Sequence, residues 1–215
     1  MDNNSFNQNK YTDSAMKLHA SDKSYTRADI MDFVVTLIMV FVAVFAFRAF
    51  IFEPVRVSGE SMTNTLQDGE RMFVEKFTYW LDEPSRGDIV ICKYPPTYTH
   101  GKPGDTYVKR VIGLPGEAIK VENGSVWVKK VGAADFVKLT EEYIRCGDGG
   151  ILYSMDEVDI PSGYVFVMGD NRNNSTDSHV PYVGPIKLSD LVGRVHGVVY
   201  PFKNMRELKG VNYAQ

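Results

Sequence analysis

Ala118-Ile119-Lys120-Val121-Glu122-Asn123-Gly124-Ser125-Val126-Trp127-Val128-Lys129 is the stretch on which the fold turns. Ile119 and Val121 alternate with Lys120 and Glu122, and Val126 and Val128 alternate with Trp127 and Lys129. A period of two places the aliphatic residues of each run on one face of a strand. Asn123-Gly124 at the centre supplies the two residues that tolerate positive φ in a type I′ turn, so the stretch predicts a β-hairpin.

The same rhythm continues outward. Arg71 to Phe77, Asp88 to Lys93, Thr106 to Ile112 and Tyr164 to Met168 read as strands, the last following the turn residues Pro161-Ser162-Gly163, and Leu191 to Tyr200 reads as a final one. Glycine is frequent, with 18 residues, and no amphipathic helix is evident after Pro54 until the C-terminal end. The expected fold is mainly β, a curled antiparallel sheet or barrel-like arrangement. Lys130 to Met155 has no clear period and is expected to be an insertion that turns at Asp148-Gly149-Gly150. No internal repeat is visible.

Before the strands the chain changes character twice. Residues 1–28 are polar, rich in Asn, Asp, Ser and Lys, and are expected to be a disordered tail. Residues 29–52 form an apolar segment in which Phe33 to Phe47 carries no charge. With its flanks it approaches the ~20 residues that cross a bilayer. It is apolar on all faces, which argues against a helix packed on a core, and it lacks the small-residue site of a cleaved leader. An uncleaved membrane anchor is therefore expected, with Arg48 reaching the interface near one end. Lys10, Lys17, Lys23 and Arg27 precede it, which predicts a cytoplasmic N-terminus and residues 53–215 on the far side.

The formal charge of −3 and the absence of a basic patch argue against a nucleic-acid partner. The histidines, His19, His100, His179 and His196, show no metal-ligand spacing with Cys92 or Cys146, so neither metal nor cofactor is expected. Cys92 lies in an apolar strand, where a thiol acts as a small hydrophobe, and two free thiols are favoured.

Val57-Ser58-Gly59-Glu60-Ser61-Met62-Thr63-Asn64-Thr65-Leu66 follows the anchor, and Ser61 sits where an apolar strand breaks. A serine hydroxyl becomes a nucleophile near neutral pH only beside a base. Two bases are open. His179 stands two residues after Asp177, which suggests a Ser61–His179–Asp177 triad, although the second glycine of a Gly-x-Ser-x-Gly elbow is replaced by Thr63. Lys109 is the other. Strand alternation puts Tyr107, Lys109 and Val111 on one face and Arg110 on the other, and burial among apolar neighbours lowers an amine's pKa.

Three segments carry a resemblance: Gly-Glu-Ser-Met-x-x-Thr-Leu around Ser61, Tyr107-Val108-Lys109-Arg110-Val111-Ile112-Gly113-Leu114-Pro115-Gly116-Glu117, and Gly169-Asp170-Asn171-Arg172-Asn173-Asn174-Ser175-Thr176-Asp177-Ser178. With Arg86-Gly87-Asp88-Ile89-Val90 and the anchor, they resemble the bacterial type I signal peptidases, membrane serine endopeptidases of protein secretion, in a Gram-positive-like form. The resemblance implies that Ser61 is the nucleophile, Lys109 the general base and Ser175 the residue orienting the lysine. It implies that Asp177 props the site by pairing with Arg110, and that Gly59 stands where some members carry a hydroxyl donor to the oxyanion. Small residues, typically Ala, are then expected at −3 and −1 of the cleavage site. They would enter shallow apolar pockets lined by Val57, Met62, Leu66, Met72, Ile91, Tyr107 and Val108. Expected partners are secretory preproteins, the lipid bilayer and a nearby export translocon, at the cell membrane.

Three positions depart from the family pattern. Asn64 replaces a proline, which predicts a looser turn beside the serine; Asn173 replaces an aspartate; His179 replaces an arginine and leaves the pairing of Asp177 open. The rival reading is a non-catalytic membrane-anchored assembly or pilin-handling protein on the same scaffold, expected to have lost Ser61 or Lys109.

Overall fold

The computed structural model describes residues 26–50, 52–98, 105–144, 150–208, 211 and 213. The tail 1–25, His100, Cys146, Asp148, Gly149 and the side chain of Arg48 lie outside the described residues.

Helix α1 runs from Arg27 to Phe50. Thr26 opens it as a capping box: its hydroxyl oxygen accepts from the Asp29 N–H at 3.2 Å, and Asp29 Oδ2 accepts from the Thr26 N–H at 2.9 Å. Its 24 residues span about 36 Å at 1.5 Å per residue, enough for a hydrocarbon layer of about 30 Å. Its described side chains are exposed on every side, Phe33 and Phe41 at 68% each. Length and composition thus suit a bilayer span.

The rest is mainly β, as the alternation predicts. The strands are β1 (Phe52–Arg56), β2 (Arg71–Glu75), β3 (Ile89–Lys93), β4 (Thr106–Gly113), β5 (Ala118–Glu122), β6 (Ser125–Lys129), β7 (Val137–Lys138), β8 (Met155–Asp159), β9 (Tyr164–Met168), β10 (Ile186–Lys187), β11 (Leu191–Tyr200) and β12 (Arg206–Glu207). Helix in this part is limited, among the described residues, to α2 (Thr78–Leu81) and short 3-10 turns. The larger sheet is antiparallel in the order β1-β2-β11-β3-β4-β9-β10, with β12 added beside β11. The smaller has the order β7-β6-β5-β8. The predicted hairpin is β5–β6, paired Ala118↔Lys129 through Glu122↔Ser125, with positive φ at Asn123 (50°) and Gly124 (71°).

Both faces of the larger sheet are covered, and the side-chain period shows how. On β3, Ile89 and Ile91 enter a core with Val57, Met62, Leu66, Met72, Val74, Val195 and Val198. Val90 and Cys92, from the other face, enter a second core with Val111, Val165, Val167, Val183 and Ile186. A third core, with Ile112, Phe166 and Met168, joins the larger sheet to the hairpin through Ile119, Val121, Val126 and Val128. Register shifts at three places bend β11, so that Leu191–Arg194 pairs with β3 while Arg194–Tyr200 pairs with β2. The sheet curls accordingly, and β4 comes to lie centrally between β3 and β9.

Candidate active site

Ser61 belongs to the loop that joins β1 to β2. Val57 N–H donates to Glu70 O at 2.8 Å and Gly69 N–H to Val57 O at 3.0 Å, which closes the loop's neck. Within it, the Thr65 and Leu66 N–H groups both donate to Met62 O, at 2.8 and 2.6 Å, winding one tight turn. Met62 and Leu66 are buried in the first core and pin this turn from below, while Ser61 stays half-buried beside them. Gly59, at φ +101°, holds a backbone that side chains rarely adopt, and its N–H donates to Asp68 Oδ1 at 2.9 Å.

Asn64, whose place in the family pattern predicts a looser turn, has a tie of its own. Its amide donates to the Asp170 carbonyl at 2.9 Å, a bond no proline could make. Thr65 Oγ1 donates to Asp170 Oδ2 at 2.5 Å. From the opposite side Arg206 holds the Thr65 carbonyl at 2.7 Å and the buried Glu70 carboxylate at 2.7 and 2.8 Å.

Lys109 lies on β4 opposite Val90. It is 2% exposed, and burial draws its amine below the ordinary lysine pKa despite the charge of nearby Asp177. Its Nζ donates to Ser175 Oγ at 3.1 Å, and Ser175 Oγ donates onward to Asp177 Oδ2 at 2.5 Å. Asp177 is fully buried. Burial works against its charge, but the His179 hydrogen bond, the Lys109 charge and the Ser175 hydrogen bond outweigh it, so its pKa is lowered. The Gly169 N–H adds a bond to Oδ2 at 2.8 Å, and His179 Nδ1 stands 2.7 Å from Oδ1.

Arg110, from the other face of β4, is also buried rather than turned to water, and its partner is Asp170, not the expected Asp177. Nε and Nη2 meet the two Asp170 oxygens at 2.9 and 2.6 Å, and Nη1 donates to Gly87 O at 2.8 Å. The fork geometry of a guanidinium suits this two-point bond. Asp170 thereby ties the lysine strand to the serine loop, since the same residue receives Asn64 and Thr65. Asp177 instead serves the Lys109 face, with His179 where the family pattern has arginine.

Ser61 and Lys109 line one cleft of about 430 Å³, with Gly59, Val57, Met62, Tyr107 and Val108 among its walls. Leu66, Met72 and Ile91, expected in the same pockets, are 0%, 0% and 1% exposed and form the core beneath instead. His179 does not line this cleft; its ring stacks on Tyr153 at 4.2 Å. Asn173, the third departure, braces the loop by accepting from Leu152 N–H at 2.9 Å and donating to Gly150 O at 3.1 Å.

Several supporting residues were not anticipated. A Cβ added to Gly169 would collide with Ser175 Oγ and with the Ser61 carbonyl oxygen, so glycine lets the two serine segments touch. The Asn171 N–H donates to that Ser61 carbonyl at 2.9 Å. Arg172 is 1% exposed and pairs with Glu141 at 2.6 and 2.8 Å, which docks the supposed insertion against the Ser175 loop. The Gly169–Ser178 motif marks the region, but an arginine in a polar loop signals nothing of its burial. Cys92 is free and buried, with its thiol pushed up to about 12 by burial, so it is inert packing.

A serine hydroxyl and a desolvated amine on one cleft can perform the chemistry of a serine hydrolase whose base is lysine. The comparisons with known proteins agree in class. Residues 30–200 match the family described as "Signal peptidase, peptidase S26". Signal peptidase I U of Bacillus subtilis (strain 168) is 37% identical over 82% of this chain and 90% of its own. Signal peptidase I T of the same strain is 40% identical over 75% of this chain and 81% of its own. A solved signal peptidase I of Enterococcus faecalis V583 is 26% identical, with a TM-score of 0.40, over 53% of this chain and 97% of its own. The chain belongs to the signal peptidase S26 family. It is therefore an enzyme, a peptidase that removes signal peptides from preproteins, and the non-catalytic reading is set aside.

Proposed function

We propose that this signal peptidase works through a Ser61–Lys109 dyad. The observation that carries the proposal is a lysine 2% exposed, its amine drawn toward the neutral form by burial, on the cleft that Ser61 also lines. Neutral Lys109 takes the Ser61 proton as Oγ attacks the scissile carbonyl. The oxyanion is received by the Ser61 N–H; Gly59 adds no side-chain donor. Lys109 returns the proton to the leaving amine, and an ester between Ser61 and the signal peptide remains. Water, giving its proton to Lys109, then attacks that ester, and Lys109 passes the proton to Ser61 Oγ as it leaves, which restores both residues. Ser175 orients the amine throughout, and Asp177 holds Ser175.

The substrate lies extended along the cleft. Val57, Met62, Tyr107 and Val108 bound shallow apolar sites that take small residues at −3 and −1, as in Ala-x-Ala. Residues 1–28 form the cytoplasmic tail, 29–52 the anchor and 53–215 the extracytoplasmic catalytic part, which meets preproteins beside the lipid surface and the export translocon. Lysines before α1 support that orientation.

The test is cleavage of a preprotein ending its signal in Ala-x-Ala by the wild type beside Ser61→Ala, Lys109→Ala and His179→Ala. Loss in the first two and retention in the third is expected. A near-normal rate for Lys109→Ala, or none for His179→Ala, returns the base to the histidine. Orientation is checked by protease added to intact protoplasts, which should digest the part after Pro54.

A further inference from the structure

Tyr94 follows directly on β3 and has no part in the scheme above, yet it touches both halves of the site. Its hydroxyl donates to the Thr176 carbonyl at 2.6 Å. Thr176 is the residue between Ser175 and Asp177, so this bond fixes the peptide carrying the two side chains that hold Lys109. The Thr176 side is exposed to water; without the phenol its carbonyl would be met by mobile solvent and the peptide would be free to turn.

The ring of Tyr94 has a second partner. It stacks on Tyr107 with centroids 4.0 Å apart and planes at 17°. Tyr107 is a wall of the cleft and stands two residues before Lys109 on β4. Tyr98 packs edge-on against both rings, at 5.1 and 5.6 Å, so the pair is held in an aromatic cluster and not at a loose surface contact. One rigid side chain with two torsions thus spans from the substrate wall to the loop behind the lysine.

We infer that Tyr94 is a positioning residue for the peptidase reaction: its hydroxyl sets the Ser175–Asp177 peptide against Lys109, and its ring backs the Tyr107 wall of the substrate cleft. The inference rests on the Ser61–Lys109 reading. The two functions separate by atom. Removing the hydroxyl disturbs the orientation of the base and acts on turnover; removing the ring also disturbs the wall and acts on substrate binding. A merely structural tyrosine has no reason to divide its effects in this way.

The experiment compares full-length, detergent-solubilised wild type with Tyr94→Phe and Tyr94→Leu on an Ala-x-Ala peptide, with Lys109→Ala and Ser61→Ala alongside. Tyr94→Phe is expected to lose about tenfold in kcat, the weight of one hydrogen bond, with KM within about twofold. Tyr94→Leu is expected to show the same kcat loss and a raised KM. Amide exchange over the peptide containing Ser175 to Asp177 should quicken in Tyr94→Phe. Wild-type kcat together with wild-type exchange in Tyr94→Phe overturns the inference while leaving the dyad intact. An equal rise of KM in both variants, with kcat unchanged, overturns it as well and reduces Tyr94 to a wall support. An active Lys109→Ala or Ser61→Ala variant removes the dyad and this inference with it.

Discussion

Lys109 and Arg110 are neighbours on β4, each 2% exposed, and their surroundings drive their charges in opposite directions. Around Arg110 the protein supplies what a buried cation needs: a two-point bond to the Asp170 carboxylate, the Gly87 carbonyl, and the face of Tyr143 at 4.1 Å. Burial opposes its charge, but Asp170 prevails and the guanidinium is held above its ordinary pKa. Around Lys109 the hydrogen-bond partner is a neutral hydroxyl, and the carboxylate of Asp177 is reached only beyond it. There burial prevails and the pKa falls. Equal burial does not decide a group's ionisation; the placement of one carboxylate does. A permanent cation fastens the strand, and a reluctant one is what the proposed proton transfer requires.

The largest test of that contrast replaces the lysine. Lys109→Met should lower kcat/KM roughly 10³-fold, within the range for loss of a general base. Its stability should move the other way. A lysine whose folded pKa is depressed binds fewer protons folded than unfolded, so it penalises the fold below the depressed value. The penalty shrinks as pH rises from there toward the ordinary ~10.4 of an unfolded lysine. Thermal unfolding of Lys109→Met should therefore match or exceed the wild type at neutral pH, with the gap closing in alkali. Wild-type activity should climb through the depressed value itself, where the folded amine loses its proton, and level off above it. Parallel Tm curves for the two proteins would break the comparison at its first term.

Removing the other cation should give the reverse signature. Arg110→Met leaves Asp170 buried without its partner, a loss of about 3–5 kcal/mol in denaturant unfolding. Asp170 would then no longer hold Thr65 and Asn64 in place, so activity should fall with stability. A variant as stable as the wild type would show that the Asp170 pair is dispensable.

Ser175→Ala is a finer probe. It deletes the hydroxyl between Lys109 and Asp177, and kcat should drop about tenfold with KM little changed. A changed KM with normal kcat would place Ser175 on the substrate and not on the base.

The smallest effect is expected at His179. His179→Ala should keep its activity to within about fivefold, because its ring lies outside the cleft and reaches Lys109 only through Asp177 and Ser175. Its mark should appear in acid. A carboxylate with a depressed folded pKa stabilises the fold above its unfolded value and loses that contribution as pH falls through the folded value. Without His179 the depression of Asp177 is smaller, so acid unfolding should begin at higher pH than in the wild type. An unmoved acid transition would deny His179 any hold on Asp177.

What could be read from the residues follows the same physical lines. The hairpin Ala118–Lys129 was legible in full, because alternation and an Asn-Gly turn are both local signals. β3, β4, β9 and β11 were legible to within two residues for the same reason. β1 was not. It carries Pro54 and leaves the apolar segment without a break, and it is accommodated because it sits at the edge of the sheet. β8, Met-Asp-Glu-Val-Asp, hides its strand character behind three acids at another edge. In the site, strand alternation set Lys109 and Arg110 on opposite faces, but it could not say which face was buried, and both are. The partner of Arg110 was not. Asp170 and Asp177 lie in one short loop, and which of them faces which side of β4 depends on how that loop wraps. Leu66, Met72 and Ile91 were assigned to the substrate because apolar residues of a wall and of the floor behind it have the same composition. Only the course of the cleft separates them.

Gly169 gives the site a property that no catalytic group supplies. The space between the Ser61 carbonyl and the Ser175 hydroxyl is narrower than one carbon atom. The backbone of the serine loop and the side chain that holds the lysine are thus gauged against one bare Cα. Such a gauge has no slack to take up. Any side chain here would have to displace one or the other, which makes the least conspicuous residue of the motif the one least open to revision.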